Sequence, residues 1–327
     1  MYAAVASCDG AMNGLFKRLP WLLAIVILTA CATAPAPSHP LFEFHDNFWL
    51  NLHHFARAVR GMDAPGDLQP DERGVWDAAI AFYAAGYSKR DLLFDDGMVA
   101  IKNELRHCDG KDTLDCAAID PQLKTALLRI APIYRKYWWP AQRDTNEKWI
   151  AAAQSLISKY GAPLSARVAS AYGVEWPAEA IPVDVSVTAG PNVAYTSTRP
   201  THTTIASTEP TVQGLAVLEL LFHEPSHAWG RILQAGIARA EEAHHTHVPR
   251  QLWHAVLFHN AGELTRRTLQ ENGVGGYVEY AAKYDVYRQL CGEGCRDRVA
   301  AAWDRRLDGS ASVEDALDAL VSSWPAP

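Results

Sequence analysis

Leu218-Glu219-Leu220-Leu221-Phe222-His223-Glu224-Pro225-Ser226-His227 places two histidines and two glutamates in a largely apolar run. Apolar residues precede it from Leu215, so the pattern predicts a helix that is apolar nearly all round and buried. Each helical residue advances about 100°, which puts His223 and His227 one above the other on the same face. Buried imidazoles need partners, and two so spaced can occupy two corners of a tetrahedral zinc site.

The alternative interpretation of these histidines is that they are hydrogen-bonded members of the core. The spacing H-E-x-x-H favours metal binding, because Glu224 directly follows the first histidine and its carboxylate can reach a metal-bound water. Zinc lowers the pKa of that water to about 7, and a carboxylate can then take its proton for attack on a carbonyl. The motif therefore predicts a Zn²⁺ site at His223 and His227, with Glu224 as the general base.

The motif resembles that of the zincin metallopeptidases, on the strength of His223, Glu224 and His227. The resemblance implies a zinc-dependent peptidase with an active-site helix preceded by short strands. The sequence departs from the zincin pattern at Pro225, a position where that motif normally avoids proline. Proline removes one backbone N–H and its ring pushes against the carbonyl four residues back, which predicts a kink just before His223.

The resemblance also implies a third ligand, because glutamate-type zincins take one from a glutamate on a helix after the motif. The corresponding residue is Glu263, in the helix that Pro249 is predicted to open. A salt bridge from Glu263 to Arg266 or Arg267 is the structural alternative. Other residues that remain candidates for the third ligand are His259, His254, Glu242 and Glu219.

Several other polar side chains allow both a functional and a structural interpretation. Tyr277, Tyr280 and Tyr284 are candidates to donate a hydrogen bond to a transition-state oxyanion, although helical tyrosines more often belong to a core. A second histidine cluster is either a ligand set or a group of satisfied core residues: His45, His53 and His54. Residues 241–247 are rich in glutamate and histidine, which fits a metal tract but is more typical of a solvated loop.

Residues 1–31 have the features of a bacterial lipoprotein signal peptide, with the true start expected at Met12. Lys17 and Arg18 precede an apolar run over residues 21–28 that is too short for a comfortable transmembrane helix. Leu28-Thr29-Ala30-Cys31 resembles a lipobox, which implies acylation of Cys31 as the mature N-terminus. The expected location is therefore the periplasmic face of the envelope, anchored by lipid, and Ala32 implies the outer membrane.

Four cysteines remain after the signal peptide, and they fall into two close pairs. An oxidising periplasm predicts the disulfides Cys108–Cys116 and Cys291–Cys295. Zinc is the competing interpretation, but no histidines stand near these pairs at finger-like spacing. Composition is that of an ordinary globular protein, with 49% hydrophobic residues and a net charge of −7, and the absence of a basic block argues against a nucleic-acid partner.

The expected fold is mainly α with a small β-sheet. Residues 32–40 predict a Pro/Ala tether, residues 41–178 a helical subdomain, and residues 179–327 a zincin-like half that contains the motif. Helical patterns in the first half cover residues 42–59, 146–160 and 164–172, among others. Alternation over residues 183–187 and the Thr-rich segments 193–197 and 201–207 predict three strands before the motif helix.

The predicted function is a zinc metallopeptidase of the bacterial envelope that acts on a peptide or protein. In the zincins the strand at the edge of the cleft holds substrate in extended form, and residues 195–197 or 202–207 are the candidates for that strand. A sugar-amide or muramyl-peptide hydrolase would use the same zinc chemistry. The alternative of another class, favoured by Pro225, is a non-catalytic envelope lipoprotein that serves as an interaction module.

Overall fold

A computed structural model describes residues 39–59, 67–190, 193–198 and 200–324 of the chain. It is 63% helical with one small four-stranded mixed sheet, which confirms the predicted fold class. The predicted signal peptide, Cys31 and most of the predicted tether lie outside the described residues. Among those residues, no helix has both the length and the apolar character needed to cross a membrane.

The elements are named in chain order. The strands are β1 (Phe42–His45), β2 (Ile181–Ser186), β3 (Ala194–Thr198) and β4 (Thr201–Ala206). The helices before the sheet are α1 (Phe48–Ala58), α2 (Pro70–Gly86), α3 (Asp96–Arg106), α4 (Pro121–Tyr137) and α5 (Trp139–Tyr172). The later helices are α6 (Ala216–Ser226), α7 (Gly230–His244), α8 (Leu252–Glu271), α9 (Tyr280–Lys283), α10 (Val286–Cys291), α11 (Cys295–Leu307) and α12 (Val313–Ser322). Two short 3₁₀ turns, Pro210–Val212 and His227–Trp229, flank α6.

The sheet has the strand order β1-β2-β4-β3. β1 and β4 both run parallel to β2, with Phe42 opposite Ile181 and Val183 opposite Thr203. β3 is antiparallel to β4 and forms one edge of the sheet. Of the two segments proposed to hold a substrate, β3 is therefore the edge strand, whereas β4 is enclosed between two neighbours.

The helix predicted over residues 42–59 is wrong at its start, because Phe42–His45 is β1. Alternating Phe42 and Phe44 suit a half-buried strand, yet in an aromatic run they are equally compatible with a helix. Pairing with β2 decides between the two. The helix begins only after Asn47, whose side chain accepts a hydrogen bond from the Leu50 N–H at 2.9 Å and caps α1.

The two helices predicted over residues 146–160 and 164–172 are one continuous helix, α5, which contains Pro163. Proline removes a backbone hydrogen bond, so a break was expected there. Tyr160, Leu164 and Val168 surround this position on the buried face of α5, and they are at most 3% exposed. Burial of these side chains offsets the lost bond.

Two hydrophobic clusters cover the two faces of the sheet. Val183, Val185 and Ile205 pack in one cluster with α5, α6 and the later helices. Tyr195 and Ala206 pack in the other, together with α1 to α4. Each cluster draws on residues from both sides of position 178, where the sequence predicted a boundary between two halves.

Both predicted disulfide pairs are confirmed. Cys108 is joined to Cys116 and Cys291 to Cys295, with Cα atoms 5.4 and 5.7 Å apart respectively. The first closes the loop that follows α3, and the second joins the end of α10 to the start of α11. Both loops are short, so loop entropy limits each to a few kcal/mol of stabilisation.

Candidate metal centre

Three histidines converge beside the motif helix: His223, His227 and His254. One ligand atom from each lies within 4.8 Å of the others, and the Nε2 atoms of His223 and His254 are 3.4 Å apart. His223 is buried, whereas His227 and His254 are half-buried. In the part of the chain that the structure describes, no other three His, Cys, Asp or Glu residues are grouped so closely.

Two helices and one 3₁₀ turn position these rings. His223 lies on α6, His227 opens the turn His227–Trp229, and His254 lies in the first turn of α8, which packs on α6. Helical geometry continues through Pro225 to Ser226. The departure from α-helical geometry comes after the proline rather than before His223, and the two motif imidazoles still stand 5.1 Å apart, centre to centre.

Aromatic rings pack against the histidine group. Phe258 stacks on the His223 imidazole, with centres 4.0 Å apart and planes 26° from parallel. Trp253 stacks on His254 at 5.1 Å and 17°. Gly230 makes room for that indole, because a Cβ at this position would lie only 3.0 Å from the Trp253 ring.

The three imidazoles are uncharged at neutral pH. Burial lowers the pKa of His223 well below its usual value, and the two neighbouring imidazoles lower it further. Burial likewise lowers the pKa of His227 to about 3 and that of His254 to about 4. Three neutral nitrogen donors within reach of one another form a donor set that fits a divalent first-row metal ion.

Glu224, directly after His223 on α6, contacts the sheet. Its carboxylate is buried, and Oε2 accepts a hydrogen bond of 2.9 Å from the Thr196 hydroxyl on β3. Thr196 in turn contacts the Thr203 hydroxyl at 3.0 Å. Although Glu224 directly follows His223 in the sequence, its carboxylate is not part of the group of possible metal ligands.

Glu263, assigned as third ligand by resemblance, is not in the group either. Its carboxylate accepts hydrogen bonds from Arg266 at 2.5 and 2.7 Å and from Arg267 at 2.6 Å. Burial acts to raise the pKa of Glu263, but these arginines outweigh it and lower the pKa. The structure therefore brings His254, one of the alternatives, to the motif histidines and leaves Glu263 in the predicted salt bridge.

The tyrosines proposed as oxyanion donors have other partners. The Tyr277 hydroxyl donates a 2.5 Å hydrogen bond to Glu219, and the backbone N–H of Tyr280 donates to the same carboxylate at 3.0 Å. The Tyr280 ring lies parallel to Phe258 with centres 6.0 Å apart, and it contacts the Tyr284 ring at 4.8 Å. The Tyr277 hydroxyl therefore already donates to Glu219, and its role is to support that carboxylate.

The remaining histidines of the sequence analysis do not converge. His45 contacts Asp109 at 3.0 Å, while His53 and His54 share hydrogen bonds of 2.9 and 3.0 Å with the hydroxyls of Tyr83 and Tyr195. Each of these three histidines has one hydrogen-bond partner, as the core alternative predicts, and its other ring nitrogen is buried without one among the described residues. Residues 241–244 complete α7 rather than opening a loop, and residues 245–247 follow it.

Buried charged side chains also lie on the face of the sheet that packs against α1 to α4, and the sequence analysis did not predict them. Lys102 on α3 is 1% exposed; its Nζ donates to the Ser197 hydroxyl and lies 4.8 Å from the centre of the Tyr195 ring. Asp184 and His202, on neighbouring strands, are buried nearby with their side chains in contact. Burial lowers the pKa of His202 to about 4, so this contact pairs a carboxylate with an uncharged imidazole at neutral pH. In the sequence Lys102 stands among Asn103, Glu104 and Arg106, a pattern typical of a solvated helix.

The buried lysine makes a testable contribution to stability. Burial lowers the pKa of Lys102 from 10.5 to about 8, so between these pH values the unfolded chain binds the proton and the folded chain does not. The unfavourable contribution of Lys102 is therefore full below pH 8 and fades as pH rises towards 10.5. We expect Lys102→Met to raise the free energy of unfolding at pH 7 by about 1–3 kcal/mol, and by less at pH 9.5, as measured by urea unfolding.

Lys148→Met is the matched control, because Lys148 is 75% exposed and pairs only with Asp144 at the surface. Its effect should stay within about 0.5 kcal/mol at both pH values. A stabilisation by Lys102→Met that is equal at pH 7 and pH 9.5, or a destabilisation at pH 7, would contradict the assignment of an unfavourable buried ammonium.

The likeness to zincins remains a likeness of the motif. Compared with protein families, curated proteins and solved structures, the chain gives no significant match. The geometry of the chain's own residues adds His254 as a third imidazole and a contact between Glu224 and the edge strand β3.

Proposed function

We propose that this chain is a zinc-dependent peptidase in which His223, His227 and His254 hold the ion and Glu224 is the general base. The observation that carries the proposal is the group of three uncharged imidazoles with Glu224 directly after the first of them. Three histidine ligands that leave a fourth position open are one donor set of catalytic zinc. When bound, zinc would polarise a carbonyl and acidify a water at that position.

The surroundings of Glu224 support the role of a base. Thr196 donates a hydrogen bond to Oε2, which fixes the carboxylate and leaves Oε1 to take a proton. The carboxylate is buried, so its position is held by the packing of α6 on the sheet. A proton acceptor in a fixed orientation beside the reacting atoms is what general base catalysis requires.

The position of β3 supports a peptide as the substrate. β3 is an edge strand, and adding an extended peptide to a sheet edge is a common mode of recognition. Thr196 of the same strand holds Glu224, so a peptide paired with β3 would lie close to the base. If Cys31 is acylated as predicted, this site would work at the periplasmic face of the envelope.

The non-catalytic interaction module is the competing proposal. Pro225 favours it, because the resembling motif avoids proline at that position. Helical geometry that continues through Pro225 and the convergence of three imidazoles weigh against it. The two proposals differ in whether the metal-loaded protein turns over a peptide.

The test uses the full chain purified from membranes without a chelator. We expect about one equivalent of zinc by elemental analysis, and cleavage in an unbiased peptide library that stops on chelation and returns with added Zn²⁺. Protein that retains one equivalent of zinc and cleaves nothing would support the interaction module. If the protein takes up no zinc, the histidine group is neither a catalytic nor a non-catalytic metal site.

A further inference from the structure

Glu219 is a second buried carboxylate on the motif helix, one turn before His223, and it is 1% exposed. Its Oε2 accepts the 2.5 Å hydrogen bond from the Tyr277 hydroxyl. The backbone N–H of Tyr280 lies 3.2 and 3.0 Å from Oε1 and Oε2. This one carboxylate therefore ties the segment that leads into α9 to the helix of the metal centre.

The fold makes specific room for this contact. Gly262 on α8 faces it, and a Cβ there would lie 3.0 Å from Oε1 of Glu219 and 2.8 Å from Cβ of Glu279. Glu279 is held in turn by Arg266 and Arg296, each at 3.3 Å. Any side chain at Gly262 would push the side chains of Glu219 and Glu279 away from α8.

Stability alone does not account for Glu219. Burial raises its pKa to about 7, although the hydrogen bonds from Tyr277 and Tyr280 oppose the rise. The folded chain therefore binds this proton more tightly than the unfolded chain, and the carboxylate destabilises the fold as pH rises through about 7. Buried ionisable groups with such a cost cluster at functional sites.

An unbroken series of rings leads from Glu219 to the metal ligand. The carboxylate fixes the backbone of Tyr280, whose ring lies within 10° of parallel to Phe258. Phe258 stacks on the His223 imidazole at 4.0 Å, the shortest separation of ring centres around that histidine. Displacement of Tyr280 removes the support behind Phe258 and frees the His223 ring to turn.

We propose that Glu219 is a positioning residue of the metal centre, which sets the orientation of the His223 imidazole through Tyr280 and Phe258. The inference rests on the proposed function in one respect, namely that His223 is a metal ligand. The orientation of its ring in the metal-free protein does not depend on that function. The metal site and the positioning role of Glu219 can therefore be refuted separately.

The probe is Co²⁺, whose visible absorption reports the geometry of its ligands. We expect Glu219→Ala and Tyr280→Ala to weaken Co²⁺ binding by about 10- to 100-fold, as is typical when a group supporting a ligand is lost, and to change the spectrum. In the metal-free protein both substitutions should shift the imidazole resonances of His223 in ¹⁵N NMR. Glu219→Gln keeps an acceptor for the Tyr280 N–H and should restore affinity to within about threefold of the parent.

Glu104→Gln is the control, because it removes a carboxylate that also accepts a backbone hydrogen bond, from the Ala118 N–H at 2.8 Å, but lies on α3 and outside the ring series. It should leave Co²⁺ affinity and the His223 resonances unchanged. If Glu219→Ala does not fold, Tyr277→Phe removes one of the two donors and should produce a smaller shift of the His223 resonances.

Unchanged affinity and unchanged His223 resonances in both alanine variants would overturn the proposal. A parent protein that binds no Co²⁺ would refute the metal site instead. In that case the resonances of the metal-free protein alone decide whether Glu219 positions His223.

Discussion

Replacement of His254 by alanine is expected to abolish stoichiometric metal binding. His254 offers one of three ligand atoms that lie within 4.8 Å of one another, and two histidines alone would bind the ion far more weakly. The loss should exceed the 10- to 100-fold typical of supporting residues and reach about 10³-fold or more. Elemental analysis after dialysis and competition with a chromophoric chelator measure it.

Glu263→Gln is the informative partner of that experiment. Its carboxylate is held by Arg266 and Arg267, so the substitution should cost stability and leave one equivalent of zinc in place. A His254→Ala protein that keeps its zinc, beside a Glu263→Gln protein that loses it, would make Glu263 the third ligand after all.

Glu224→Gln is expected to lower the turnover of any peptide that the parent cleaves by about 10²-fold or more, which is the usual worth of a positioned base. Glutamine keeps the acceptor oxygen for Thr196 and nearly the same shape. Zinc content and the urea midpoint should therefore stay close to those of the parent. The measurements are the steady-state rate, the zinc content and urea unfolding of the same preparation.

Glu242→Gln is the control for loss of one carboxylate, because Glu242 is exposed near the end of α7. Its turnover should lie within about twofold of the parent. Loss of zinc in Glu224→Gln would mean that the carboxylate supports the ligands rather than moving a proton. Undiminished turnover would mean that another group is the base.

Local patterns predicted the motif helix, the three strands before it and both disulfides, because spacing and alternation are local properties of the sequence. β1 was missed because its identity depends on β2, far along the chain. A carboxylate with arginines three and four residues on is already paired on its own helix, and this local signal argued against Glu263 as a ligand. His254 has no such signal, since only the packing of α8 on α6 brings it to the motif.

The parallel pairing of β1 with β2 has a consequence for how the chain folds. It joins segments roughly 140 residues apart, and closing so long a loop is slow compared with forming the helices between them. During synthesis Phe42 and Phe44 emerge long before Val183 and Val185 exist to cover them. Until β2 has been synthesised, the aromatic strand β1 lacks its neighbour in the sheet, and an unpaired apolar strand is the kind of segment that chaperones bind and that aggregates when they do not.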